Sequence, residues 1–278
     1  MKKVVIIGAG ASGLITAIYA KRNGNDVILI EKNEICGRKI LATGNGRCNY
    51  WNKDQSLSHY RGSNLKNIED ILNAKNEEEI LMFFRKIGIE PKIKNGYYYP
   101  FSNQAISIQK ALILEAEKQK VKILTDSEVV DILKNEKKFT IVLKNQNKIE
   151  TDIVVLSTGS KAAPKTGSDG FGYKICKKFK HTVNKPLPAL VQLVANEKYL
   201  KDWEGVRAEV SVKLYENEKE IGKEVGEIQL TNYGVSGICV FNLSGRVSKG
   251  LEASRKEKIE INFLDGLNIK NEKQFINW

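Results

Sequence analysis

Gly8, Gly10 and Gly13 stand in G-x-G-x-x-G spacing within Gly8-Ala9-Gly10-Ala11-Ser12-Gly13. A carboxylate, Glu31, follows about 20 residues on. These residue types suit the holding of a pyrophosphate-bridged nucleotide. Gly8 allows a sharp turn, Gly10 lets backbone approach a pyrophosphate, and Gly13 lets a helix pack closely on the preceding strand. Ala11, Ser12 and Gly13 would open that helix, whose free N–H groups and positive dipole end favour phosphate. Glu31 is placed to accept from both ribose hydroxyls, with Lys32 beside it as a further contact. A 2′-phosphate would face the Glu31 charge, which argues against NADP here and leaves FAD and NAD open.

The second cluster lies in "GRKILATGNGRCN", residues 37–49. Cys48 follows Arg47, and a guanidinium beside a thiol can lower its pKa and make a nucleophile. Nothing local orients a base for it, and a buried cysteine usually acts as a small hydrophobe. The loop reads better as a cradle. Gly44 and Gly46 can take positive φ and bring N–H groups close to a ligand. Arg38, Lys39 and Arg47 add positive charge near phosphates. Thr43 and Asn49 can bond a ligand or hold the turn, and Cys48 packs against it.

Those residues need a scaffold. Val4 to Ile7 form an apolar, largely β-branched run, as in a strand buried on both faces. Leu14 to Arg22 predict a helix ending near Gly24, and Val27 to Ile30 a second strand. "EEEILMFFRK" and "NQAISIQKALILEAEKQKV" predict two more helices. Strands are expected near 121–125, 127–133 and 138–144 as a β-meander. Ile153 to Leu156 predict a further parallel strand that ends at Thr158-Gly159, where the backbone can leave the sheet beside a cofactor. Tyr97, Tyr98 and Tyr99 read either as a pocket wall or, more simply, as a turn with core aromatics. Pro186 and Pro188 mark a boundary. After it, "ALVQLVAN", "AEVSVKLYEN" and "KEVGEIQLT" alternate apolar and polar, as strands do. The expected fold is α/β: a Rossmann-like dinucleotide-binding domain with a β-meander over 1–187, and an inserted strand-rich domain over 188–278.

Composition narrows the class. Hydrophobic residues make up 41% of the 278, enough for a buried core. No apolar run approaches the ~20 residues of a membrane span. Four cysteines without C-x-x-C spacing and two histidines argue against a metal site and fit a reducing cytoplasm. The net charge of +12 invites a nucleic-acid reading. The lysines are largely interleaved with Glu along the chain, so a solvated surface is the preferred reading.

The residues from "GAGASGLITAIYAKRNG" through "GRKILATGNGRCNYWN" resemble the opening of the aminoacetone-oxidase-like family of FAD-dependent oxidoreductases. This is a branch of the two-dinucleotide-binding-domain flavoproteins. "NGYYYPFSNQA", the stretch 153–183, "PALVQL" and "GEIQLTNYGVSGICVFNLSG" resemble later segments of that family in the same order. The resemblance implies FAD as cofactor, with NAD(P)H as a further candidate. It implies cofactor contacts from Val129, whose strand passes the adenine in relatives, and from Asp169 and Gly170 in a T-G-S-x-G-D-G-like loop. Ser157 stands where the family has Ala, that loop is two residues short, and Asn232 takes a usual His position. Family members run on for ~100 residues beyond the point where this chain stops, a size consistent with one more structural unit. Trp278 falls in what resembles a helical part of the inserted domain, so the resemblance implies a truncated product.

The expected function is FAD-dependent oxidation or reduction of an unidentified small organic substrate, with electrons exchanged with NAD(P)H or oxygen. The family's activities span amine oxidation and enone reduction, and no acid–base pair stands out. Two alternatives stay open. One is a catalytically inactive or weakly flavin-binding protein. The other is an RNA-modifying flavoprotein, suggested by the charge.

Overall fold

The structure, a computed structural model, describes residues 1–62, 64–74 and 76–265. The expected end of the second domain, residues 266–278, lies outside the described residues. The chain forms two compact units, Met1–Val183 and one that begins at Asn184.

The first unit opens with β1 (Lys3–Ile7), α1 (Ala11–Arg22), β2 (Asp26–Ile30) and the short α2 (Arg38–Ala42). Next come β3 (Trp51–Asn52), α3 (Leu65–Ala74), α4 (Glu77–Lys86), β4 (Pro91–Lys94), β5 (Tyr97–Pro100) and α5 (Ala105–Lys118). β6 (Lys122–Leu124), β7 (Val129–Lys134), β8 (Phe139–Leu143), β9 (Lys148–Thr151), β10 (Ile153–Leu156) and α6 (Phe171–Lys178) complete it.

The central sheet is parallel, in the order β10-β1-β2-β6. β1 shows why its residues are all apolar. Val4 and Ile6 pack with α1 and α5 on one face, while Val5 and Ile7 pack with the meander and α6 on the other. A strand buried on both faces cannot alternate. The Arg22–Glu115 ion pair at 2.7 Å ties the end of α1 to α5. α4 starts in a capping box, with Asn76 accepting from the Glu79 N–H and the Glu79 side chain returning to the Asn76 N–H.

Three local expectations are corrected. The strand near 121–125 pairs in parallel with β2, Leu29 opposite Ile123, and so belongs to the central sheet. The meander is instead β7-β8-β9, and its third strand had no signal stronger than the turn before it. Residues 38–42 are helical rather than loop. Tyr97 to Tyr99 lie in β5, with Tyr98 buried and Tyr97 exposed.

The second unit is an antiparallel sheet, in the order β11 (Leu193–Val194), β14 (Gly234–Gly237), β13 (Lys219–Thr231), β12 (Arg207–Glu216), β15 (Glu257–Asn262). α7 (Ile238–Glu252) follows β14 directly. Val210, Val212, Leu214 and Ile228 face Cys239, Val240 and Leu243 of this helix. Of "ALVQLVAN", only Leu193 and Val194 pair, because the stretch joins the sheet at its edge.

Candidate functional site

The β1–α1 turn is held by backbone packing. Gly8 has φ 98°, and a Cβ there would lie 2.6 Å from the Ser157 carbonyl oxygen at the end of β10. A Cβ on Gly13 would lie 1.9 Å from the Gly8 oxygen. The helix therefore seats directly on the turn. Over Gly10 the space is open, with no heavy atom of the described residues within 4 Å of a Cβ position. α1 begins with Gly10 as N-cap, without a side-chain cap and without an acid in its first turn. Its first N–H groups are left for an anion.

Glu31 is buried at the end of β2. Its Oε2 accepts from the Ala9 N–H at 2.9 Å. Its Oε1 accepts from the Asn33 N–H at 3.0 Å and from Asn33 Nδ2 at 2.6 Å. Three of about four acceptor positions are thus filled. A ribose bonding both oxygens requires the Asn33 amide to swing aside.

Across from Glu31 runs the loop after β10. Lys32 Nζ meets Asp169 Oδ2 at 2.7 Å, and this ammonium holds the Asp169 carboxyl below the usual carboxylate range. Lys39 Nζ donates to the Ala162 oxygen at 2.7 Å and to Ser168 Oγ at 2.8 Å. Two lysines therefore strap residues 160–169 to the β2–α2 side.

Of the residues singled out in the sequence, Gly8, Gly10, Glu31, Lys32, Arg38, Lys39, Val129, Thr158, Gly159 and Asp169 line one concavity. Ala11, Thr43, Cys48 and Asn49 line a second, larger and mostly apolar one with Ile15, Met82 and Phe83. Lys39 lines both. Gly13 lies behind the turn, Ser12 is exposed on α1, and Gly170 caps α6 against Lys161. Gly44 and Gly46 have φ 55° and 80° but line neither concavity. Arg47 turns away: its guanidinium lies 5.2 Å from the Tyr99 ring centroid and its Nε donates to the Gly44 oxygen. Tyr50 Oη sits buried in the wall of the second concavity without a partner among the described residues, and burial pushes this phenol up to about 12.

Asn33, Ser127, Glu128, Ser168 and Phe171 also line the first concavity and were not singled out. Ser168 was findable, since it lies beside Asp169. Asn33 depends on the turn after β2, for which the sequence carries no spacing rule.

Cys48 is 7% exposed, with φ 57°, and its N–H donates to the Thr43 oxygen. Burial is the main cause that raises its thiol pKa above the ordinary value. At neutral pH it stays protonated, which disfavours a thiolate nucleophile. Cys48→Ser is expected to keep the flavin content of the wild type, read from the visible spectrum. Iodoacetamide should alkylate Cys48 in the folded protein more slowly than free cysteine at pH 8. Fast alkylation with loss of turnover would restore the nucleophile reading.

Among the described residues no helix is long and apolar enough to cross a membrane. The profile described as HI0933-like protein Rossmann domain matches residues 2–240. A Clostridium scindens protein named 3-dehydro-bile acid delta(4,6)-reductase is 37% identical over 279 residues, covering 100% of this chain and 68% of its own length. Two proteins named ribosomal RNA dihydrouridine synthase are more distant. The Escherichia coli one is 29% identical, covering 96% of this chain and 64% of its own. The Haemophilus influenzae one is 28% identical, covering 96% and 66%. The chain spans about two thirds of the length of these relatives.

Proposed function

Because the chain belongs to the HI0933-like family of FAD-type Rossmann oxidoreductases, we propose that it reduces a carbon–carbon double bond conjugated to a carbonyl in a small apolar substrate. The observation that carries the cofactor assignment is the β1–α1 turn: open over Gly10, backed by Gly13, and faced by the buried Glu31. In this reading residues 1–187 hold FAD, and residues 188–278 form the substrate domain.

The residues present fit the cofactor. The first N–H groups of α1 would bind its pyrophosphate. Glu31 would bind the adenosine ribose, and Val129 would lie along the adenine. Lys39, shared by the two concavities, would stand between the phosphates and the Thr43–Asn49 loop. When bound, FAD would supply the redox chemistry, with NAD(P)H as the proposed source of the hydride equivalent. The apolar wall of Ile15, Met82 and Phe83 would exclude water from that end and favour an apolar, alicyclic substrate. The 37% identical relative, named as a bile acid reductase, supports this class. Four free cysteines fit work in a reducing compartment.

A second reading rests on the two relatives named for dihydrouridine. The uracil C5=C6 bond is also conjugated to a carbonyl, so both substrates ask for the same addition of hydride and proton. The substrate, not the chemistry, separates the readings.

The test begins with the visible spectrum of the purified chain, before and after reconstitution with FAD. Oxidised flavin bands are expected. NADPH should then bleach them, and a 3-oxo-4,6-diene steroid should restore them while losing its conjugated absorbance. Absence of flavin bands after reconstitution would sink the cofactor assignment. Bleaching that oxygen reverses and the dienone does not would sink the substrate class.

A further inference from the structure

Lysine and glutamate alternate along most of this chain, yet packing gathers lysine on one face of the first unit. Residues 161–180 hold six lysines and a single acid, Asp169, which Lys32 already pairs. Lys174, Lys177, Lys178 and Lys180 are exposed on α6 and its C-terminal end. The β7–β8 turn carries Lys134, Lys137 and Lys138, also exposed.

Two contacts bring these segments together. The Phe139 ring, just after the turn, lies 6.1 Å from Phe179, just after α6. Lys178 Nζ bonds Asp131 Oδ1 at 2.5 Å and the Ile132 oxygen at 2.9 Å on β7. Asp131, held below the usual carboxylate range chiefly by Lys178, is thereby neutralised. Glu136 in the turn is the remaining acid between the two segments.

We propose that this face, formed by the end of α6 and the β7–β8 turn, docks the phosphate backbone of RNA. Ammonium groups suit phosphate as point charges, without reading bases. The choice of RNA rests on the second reading above; the basic face itself does not. A lipid surface fits less well. The apolar side chains of α6 turn inward, with Ile175 buried and Phe171 and Phe179 packed on the meander core, and Val130 and Leu133 are the exposed apolar groups on the adjoining strand, too few for a membrane-inserting patch.

The test uses the whole chain and a fluorescein-labelled RNA hairpin, followed by anisotropy from about 50 to about 200 mM KCl. With four or five phosphates engaged, log K should fall with log salt at a slope of about −3 to −4.5. Lys174→Glu/Lys177→Glu should weaken binding at least 10-fold and flatten the slope. Lys137→Glu/Lys138→Glu on the turn should do the same, because the two segments form one face. Lys92→Glu/Lys94→Glu on β4, exposed and equal in charge change, should bind as wild type. Retained flavin bands and an unchanged Tm show that each variant is folded.

Equal weakening in all three pairs would overturn the proposal, since net charge alone would then account for binding. Stronger binding to phosphatidylserine vesicles than to RNA would overturn it too. RNA binding through this face without reduction of its uridines leaves the face standing and removes the second reading.

Discussion

Gly13→Ala is expected to cost the fold about 3 kcal/mol and to abolish flavin retention. In an ordinary helix Gly→Ala stabilises by up to about 1 kcal/mol. Here the added Cβ would lie 1.9 Å from the Gly8 oxygen, 3.1 Å from the Gly8 carbonyl carbon and 3.3 Å from Ser157 Cβ. Gly8 is itself held, its N–H donating to the Ile30 oxygen at 2.7 Å and the Ser157 backbone standing close against its other side. Backbone is pressed on backbone at the centre of the parallel sheet, so α1 must lift. For a unit of this size, about 3 kcal/mol corresponds to a fall in Tm of roughly 6–12 °C. Gly10→Ala separates the two roles. Its Cβ meets no atom of the described residues within 4 Å, so Tm without cofactor should hold, but the methyl group would stand where a pyrophosphate must approach. Calorimetry and the visible spectrum of both variants decide this. A Gly10→Ala protein that binds FAD as wild type would remove the pyrophosphate from this turn.

Glu31→Ala is expected to weaken FAD binding by about 1.5–3 kcal/mol, roughly 10- to 150-fold. The lost groups are charge-assisted acceptors for the ribose hydroxyls. Stability should fall as well, since the Ala9 N–H and both Asn33 donors lose their acceptor. Glu31→Gln keeps an oxygen for the Ala9 N–H but loses the charge. It should recover most of the Tm and only part of the affinity. Titration calorimetry with FAD checks both variants. Unchanged affinity in Glu31→Ala would take Glu31 out of the ribose site.

Local rules carried the first βα unit. The spacing of Gly8, Gly10 and Gly13, the apolar run before them and Glu31 after them describe one contiguous segment. Its turn, helix and two strands follow from conformational limits that act over a few residues. The alternation in β12 and β13 likewise showed a strand-rich second unit. Neighbours distant in sequence were not legible. The pairing of β6 with β2 required α5 to cross over the sheet, and nothing within "VKILT" separates that partner from the meander. The strap of Lys32 on Asp169 and of Lys39 on Ser168 joins residues more than a hundred positions apart. Arg47, read from sequence as a phosphate contact, found the Tyr99 ring instead. Lysines that look evenly scattered along the chain became one face when Phe139 met Phe179. Spacing rules capture short-range backbone sterics, whereas long side chains choose partners by which surfaces the core brings within a few ångströms.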